Sequence, residues 1–224
     1  MQQIRILLLT PIWGRPEIVR LQMENVVRLT VANPDKFRIT PLYVVSEQWA
    51  ANLCAKLGFE YFFHPNLPLG RKLNAAIKSV LSENYDWIIT NGSDNFCEPE
   101  ILNEYLPYFS EYPAFGLNVV HAVEESTGLQ KKMEIGYAFG AMRCVKWSLI
   151  QQMQGNFWND HDNRALDYYS MLNLKEKTGN DIQVVYIETK LWDVKNGCNI
   201  NVFSKVGGQI VEETLPFELK HLQV

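Results

Sequence analysis

Apolar positions in the first half of the chain alternate between strand-like runs and helix-like stripes. Ile4 to Thr10 is a continuous apolar run, as a strand buried on both faces of a sheet requires. Phe37 to Val45, Glu60 to His64 and Asp86 to Thr90 read as further strands. Between them the apolar spacing turns helical. Pro16 suits the first residue of a helix, and Ile18, Leu21, Val26, Val27 and Leu29 form a stripe that runs up to Asn33-Pro34. Glu47 to Leu57 reads as a helix stopped by Gly58. After a loop from Pro65 to Gly70, Arg71 to Leu81 places Leu73, Ala76, Ile77, Val80 and Leu81 on one face. Strand and helix thus alternate three times before the strand at Asp86. That alternation predicts an α/β fold with a mainly parallel sheet and right-handed crossovers.

Beyond Asp94 the pattern changes. Pro99 to Phe109 reads as a helix, and Phe115 to Ala122 and Met133 to Phe139 as strands joined by a polar segment. Trp147 to Met153 and Leu166 to Lys175 read as helices, Ile182 to Ile187 as a late strand, followed by a loop-rich tail. No repeat, low-complexity tract or linker divides the chain, so residues 1–224 are expected to form a single domain.

Composition narrows the classes. Hydrophobic residues make up 47% and charged residues 21%, which suits a soluble globular protein with a sizeable core. The net charge of -4 argues against a general nucleic-acid surface, which is normally basic. Cys54, Cys97, Cys144 and Cys198 are widely spaced and form no C-x-x-C, so neither a zinc site nor a disulfide scaffold is expected. A reducing, cytoplasmic setting fits that usage. The apolar start is short, ends at Pro11 and has no small-residue cleavage site after it, so it reads as a first strand rather than a leader. No apolar run approaches the ~20 residues that span a bilayer.

The chemistry begins where Trp87-Ile88-Ile89 runs into Asn91-Gly92-Ser93-Asp94-Asn95. A carboxylate flanked by small and amide residues falls at the carboxyl end of a central strand, the edge where open α/β sheets bind ligands. Such a carboxylate commonly holds Mg²⁺ or Mn²⁺, which in turn holds phosphate oxygens. The other reading is an Asn-Gly turn with Asp94 capping the next helix. The loop Thr10-Pro-Ile-Trp-Gly-Arg15 carries neither G-x-G-x-x-G nor the Walker pattern. An open turn at a helix N-terminus can still receive a base or ribose, which makes Thr10, Pro11, Trp13 and Arg15 candidate nucleotide contacts; the alternative is a plain β-α turn with Trp13 packed on the surface. Gly70-Arg-Lys-Leu-Asn74 gathers donors at a helix start, which suits an anion. Arg71 reads as solvated, whereas Asn74 sits among apolar residues. Lys72, Asn74 and Ser93 join the nucleotide-binding set.

In their order these segments resemble the GT-A glycosyltransferases, the nucleotide-diphospho-sugar transferases close to the large inverting family. That family opens with a strand ending in a Thr-Pro-like pair, here Thr10-Pro11, continues with a Gly-x-x-x-Asn helix start, here Gly70 to Asn74, and then carries a D-x-D-type motif, here Gly92-Ser-Asp94-Asn95. Gly92 replaces the usual first acid, Asp94 matches the acid that contacts the metal, and Asn95 stands where a second acid often follows. Gly136-Tyr-Ala-Phe-Gly-Ala-Met-Arg143 looks like the small-residue acceptor loop, with Gly140 as a substrate contact. Trp158 followed by Ala165-Leu-Asp167 looks like the family's Trp…Glu-Asp segment, whose Asp is the general base; Leu166 replaces the Glu. Trp192 to Asn201 resembles a Lys/Asn-rich loop, with Lys195 a contact for phosphate or a substrate carboxylate.

The resemblance implies a GT-A-like fold: a mostly parallel twisted central sheet, helices on both faces and a mixed C-terminal part. It implies transfer of a sugar from a nucleotide-diphosphate-sugar donor to a hydroxyl acceptor, assisted by Mn²⁺ or Mg²⁺ on Asp94, with Asp167 as base and Asn95, Gly140 and Lys195 touching substrate. Asp160 and Asp162 are rival bases, and either would also suit a helix cap. His121 reads as a core histidine, and Tyr168 and Tyr169 as packing residues. Two other functions remain open: a nucleotidyltransferase, which normally wants a Gly-rich basic loop after the first strand, and a nucleotide- or glycan-binding module without catalysis.

Overall fold

In a computed structural model, residues 3–196, 203–212, 214–215 and 217–222 are described. The strands are β1 (Ile4–Pro11), β2 (Phe37–Val45), β3 (Glu60–Phe63), β4 (Trp87–Thr90), β5 (Asn95–Cys97), β6 (Ala114–Leu117), β7 (Val119–Glu124), β8 (Gln130–Glu134), β9 (Arg143–Lys146), β10 (Gln183–Val185), β11 (Leu191–Lys195) and β12 (Gln209–Val211). The helices are α1 (Pro16–Ala32), α2 (Gln48–Leu57), α3 (Leu69–Ser79), α4 (Ile101–Glu111), α5 (Trp147–Gln152) and α6 (Leu166–Thr178).

Two mixed sheets form. The larger has seven strands in the order β10-β6-β9-β4-β1-β2-β3. Its β3, β2, β1 and β4 pair in parallel, as does β6 with β10, while β9 runs antiparallel to both β4 and β6. The smaller sheet has the order β12-β8-β7-β11-β5, with one parallel pairing between β7 and β11. The larger sheet is therefore mixed, because β9 alone runs against both of its neighbours.

The continuous apolar run of β1 packs on both faces. Ile6 and Leu8 meet Val26 and Leu29 of α1 and Ile101, Leu102 and Tyr105 of α4. Leu7 and Leu9 meet Leu73, Ala76 and Ile77 of α3 and residues of α5 and α6. Each of these four β1 side chains is at most 1% exposed, a burial that contributes about 1.5–3 kcal/mol apiece. Gly58 ends α2 in the left-handed conformation at φ 74°, its N–H bonded to the Ala55 carbonyl.

The chain crosses from the larger sheet to the smaller three times, the last time through residues 186–190 between β10 and β11. Residues 91–94 carry it from β4 to β5, and Asn118 alone carries it from β6 to β7. The single strand expected over Phe115 to Ala122 is thus two strands in different sheets. Strand β8 overlaps the expected Met133 to Phe139 strand only at Met133 and Glu134, the rest of that span being loop, and β9 and β11 fall where no strand was expected. Cys54, Cys97 and Cys144 are buried free thiols; Cys198 lies outside the described residues.

Candidate active site

A cleft lies at the carboxyl ends of β1 and β4, beside the crossing at residues 91–94. Its volume is about 220 Å³, and its walls include Pro11, Asn91, Asp94, Asp193, Phe139, Gly140, Trp158 and Asp167. Of the residues singled out in the sequence, Pro11, Asp94, Asn95, Gly140 and Asp167 line it.

Asp94 stands at the sheet crossing, and it does not cap a helix: α4 begins at Ile101 after Glu100, without a side-chain cap. Its Oδ2 accepts from Arg15 Nη1 at 2.9 Å, and Arg15 Nη2 also reaches Ser93 Oγ at 3.2 Å. Arg15 adopts a left-handed φ of 54° just before Pro16, a conformation unusual for a side-chain-bearing residue. From that turn the guanidinium reaches Asp94 and Ser93. Register brings a second carboxylate alongside: β11 pairs with β5 so that Asp193 lies opposite Asn95, and the Val194 N–H bonds to the Asp94 carbonyl at 2.9 Å. Asp193 Oδ2 in turn pairs with Lys195 Nζ at 2.6 Å.

Two acids and two bases therefore share one buried pocket, each of the four side chains no more than 15% exposed. Burial works against the charge on Asp94, but Arg15 and Lys195 more than offset it and hold its carboxyl below the usual range. Burial, then the negative charge of Asp94, push Asp193 up to about 7. Burial would lower Lys195, yet the two carboxylates lift it above the ordinary lysine range.

In the turn between β4 and β5, the Asp94 and Asn95 side chains occupy the space beside Gly92. A Cβ there would meet Asp94 Oδ1 at 2.8 Å and collide with Asn95 Oδ1, which accepts the Gly92 N–H. A side chain at position 92 would therefore push the Asp94 and Asn95 side chains out of their present places. Asn91 is 6% exposed, and its Oδ1 is buried without a hydrogen-bond partner. Asp193 Oδ1 and Thr10 Oγ1 are likewise buried and unpartnered.

Arg143 organises the loop that carries Gly140. Its guanidinium donates to the carbonyls of Phe139 and Ala138, to the Asp167 carbonyl at 3.0 Å and to Ser170 Oγ at 2.7 Å. Full burial lowers its pKa, which the Asp167 charge partly counters. Four bonds from one buried side chain tie the Gly140 loop to the first turn of α6. Thr90 Oγ1 donates to the Gly140 carbonyl and secures the loop to β4. The Asp167 carboxylate fills the space that a Cβ on Gly140 would need. The N-cap of α6 is Ala165, with no side-chain cap, so neither Asp160 nor Asp162 caps it.

The start of α3 is closed by the chain itself. Asn74 Nδ2 donates to the Trp158 carbonyl at 2.7 Å and to Asp160 Oδ1 at 2.9 Å, while its Oδ1 accepts the Trp158 N–H at 3.1 Å. The Gly70 N–H bonds to the Asp162 carbonyl and the Leu69 N–H to Asn163 Oδ1, both at 2.9 Å. Lys72 is fully buried, with Nζ on the Ile12 carbonyl at 2.8 Å and on Asn66 Oδ1 at 3.2 Å. Burial lowers its pKa to about 8, against the pull of Glu47. Lys72 and Asn74 therefore brace the two loops beside the cleft, and the helix start gathers no open anion seat. Trp13 is 56% exposed beyond Pro11. His121 is buried against Trp192, as a core histidine. Tyr168 and Tyr169, expected to pack, are exposed and edge-on to one another, with Tyr137 against Tyr168.

Sequence reasoning passed over Asn91, Arg143 and Asp193. Arg143 had a readable signal, an arginine in an otherwise small and apolar loop. Asp193 had none locally, since Trp192 to Asn201 reads only as a Lys/Asn-rich loop.

No family model and no curated protein matches the chain. Solved structures do match. The chain is similar to S. aureus TarS 1-349 with a TM-score of 0.57 at 10% identity, over 85% of this chain and 60% of that one. The same protein in complex with UDP-GlcNAc matches with a TM-score of 0.57 at 10% identity, over 88% of this chain and 60% of that chain. A longer TarS structure matches at 0.53 and 10% identity, over 85% of this chain and 37% of that chain. The chain spans about 60% of the length of TarS 1-349. TarS is a glycosyltransferase, and the fold of the present chain is a glycosyltransferase fold.

Proposed function

We propose that the chain transfers a sugar from a nucleotide-diphosphate-sugar donor to a hydroxyl acceptor. The observation that carries this reading is the pairing, across one cleft of a glycosyltransferase fold, of the Asp94 charge cluster with the Asp167 carboxylate. The donor diphosphate would lie toward Asp94, where Arg15 and Lys195 supply cationic donors. Pro11 and Trp13 would flank the nucleotide, with Ser93 beneath it and Thr10 and Asn95 shaping the floor. The acceptor would lie toward Gly140, with its hydroxyl beside Asp167.

Asp167 would take the hydroxyl proton as the oxygen attacks the sugar carbon and the bond to the diphosphate breaks. Arg143 holds the Asp167 turn through its backbone carbonyl and so fixes the carboxylate on a rigid element. The chemistry of the cleft suits Mg²⁺ or Mn²⁺, because Asp94 shares it with unpartnered oxygens, the hard donors these ions prefer. Such an ion, when bound, offsets charge on the departing diphosphate. No helix among the described residues is long and apolar enough to cross a membrane.

The test is release of nucleoside diphosphate from a panel of nucleotide sugars, beginning with UDP-GlcNAc because TarS was crystallised with it. Asp167→Asn should keep donor binding and lose about 10²- to 10⁴-fold in rate. Full turnover in that variant would move the base to Asp160 or Asp162. Gly92 in place of an acid favours a second reading, a binding module without turnover, which donor binding with no release would support.

A further inference from the structure

We infer that Tyr137, Tyr168 and Tyr169 extend the cleft into a saccharide-binding strip, and that the acceptor is a glycan of at least two sugar residues. One sugar brings its hydroxyl to Asp167, and its neighbour lies on the tyrosine rings. This rests on the reading that Asp167 receives the acceptor hydroxyl.

The strip begins where the cleft ends. Gly140, Leu166 and Asp167 line the cleft, and Tyr168 and Tyr169 follow Asp167 directly in the first turn of α6. Tyr137 comes from the loop that carries Gly140. Its ring centroid lies 5.7 Å from that of Tyr168, which lies 5.7 Å from that of Tyr169, and the two pairs meet at 62° and 68°. Tyr168 and Tyr169 are 43% and 42% exposed, and Leu172, one turn further along α6, is 46% exposed. The core is served by other residues of α6: Leu174 is buried, with Leu166 and Met171 packed beside it. Large rings gathered in the open mark recognition rather than packing.

The composition of the strip selects a sugar. A pyranose presents C–H faces rimmed by hydroxyls, so it suits a flat apolar surface with a polar edge. Tyrosine offers a rigid ring ending in a hydroxyl and gives up little side-chain entropy on binding. A lipid chain would want a continuous aliphatic channel, whereas this strip is three phenol rings beside one leucine. The strip is also fixed relative to the carboxylate. Arg143 donates to the carbonyls of Ala138 and Phe139 and to that of Asp167. One buried side chain thus ties the Tyr137 loop to the tyrosine turn of α6. A surface set in place beforehand loses less on binding, and a sugar seated on it holds its neighbour's hydroxyl within reach of Asp167.

The test uses cello-, chito-, malto- and manno-oligosaccharides beside their monosaccharides, a serine/threonine peptide and an alkyl alcohol. Saturation-transfer NMR and calorimetry, with and without UDP, measure binding. At least one oligosaccharide series should bind the parent, with its monosaccharide about tenfold or more weaker. Tyr168→Ala and Tyr169→Ala should each weaken that binding about tenfold. Tyr168→Phe keeps the ring and should stay within about twofold of the parent. The unfolding midpoints of all three variants should stay near that of the parent, because both side chains are exposed. No oligosaccharide bound by the parent, or parent-like binding in both alanine variants, overturns the strip. Transfer to the peptide or the alcohol, with Tyr168→Ala as active as the parent, overturns the glycan acceptor and leaves sugar transfer standing. Oligosaccharide binding that the alanine variants lose, with no transfer from any nucleotide sugar, sinks the proposed activity and leaves the strip a saccharide site.

Discussion

Asn74 holds both backbone groups of Trp158, donating to its carbonyl at 2.7 Å and accepting from its N–H at 3.1 Å. One amide on α3 therefore does for the 158–163 loop what a neighbouring strand would do. Asn74→Ala leaves two buried backbone groups without partners, and the expected loss is about 2–4 kcal/mol of stability. Urea unfolding measures it; a loss within experimental scatter would mean that the loop is held elsewhere.

Gly140 and Asp167 form the second tight fit. A methyl group at position 140 would displace the Asp167 carboxylate while leaving α6 and the Arg143 bonds intact. A displacement of about 1 Å costs on the order of 10² in rate. Gly140→Ala should therefore lower turnover by about that factor with donor affinity unchanged. Steady-state kinetics beside donor titration separates the two quantities, and unaltered turnover would release Asp167 from the chemistry.

Lys72 gives a dependence on pH. Its folded value is about 8, below the ordinary 10.5, because burial penalises the charged ammonium. Between those two values the unfolded chain binds more protons at this position than the folded one, so this group makes stability rise with pH across that window. Below about 8 both states are charged, and the burial penalty is present in full. Lys72→Met removes the slope, which is about 1 kcal/mol per pH unit at its steepest, and strands the Ile12 carbonyl. Denaturation of parent and variant across the window should show the parent gaining on the variant as pH rises. Parallel curves would mean that Lys72 titrates normally.

Trp13 offers an optical readout. It is more than half exposed at the end of the β1 turn, whereas Trp87, Trp147, Trp158 and Trp192 are buried. Nucleotide stacking there should change the emission of the parent and not of Trp13→Leu. Identical changes in both proteins would place the base elsewhere.

The first half of the fold was readable because its signals are local. A two-faced strand such as β1 must be apolar throughout, and Gly58 ends α2 in the conformation that glycine adopts most freely. The span expected for β2 matches the observed Phe37–Val45. The second half depends on the sheet crossings. Nothing in the apolar run around Asn118 announces that Leu117 and Val119 join different sheets. The same holds for the site. Asp94 was visible from its turn and Asp167 through the resemblance, but Asp193 meets Asp94 only through the register of β11 against β5. Lys72 drew attention as a donor at a helix start and Asn74 as an amide among apolar residues, and burial explains both through the loops they brace.

The charge cluster also bears on how the protein is made. Arg15 and Asp94 leave the ribosome early, while Asp193 and Lys195 follow about a hundred residues later. At roughly 5–20 residues per second, the nascent chain spends on the order of 5–20 s with the first ion pair made and its counterpart still to come. During that interval the β5 edge lacks β11, and the cleft lacks one of its walls. Strand β11 thereby completes the β5 edge and the charge cluster together, once residue 195 has emerged.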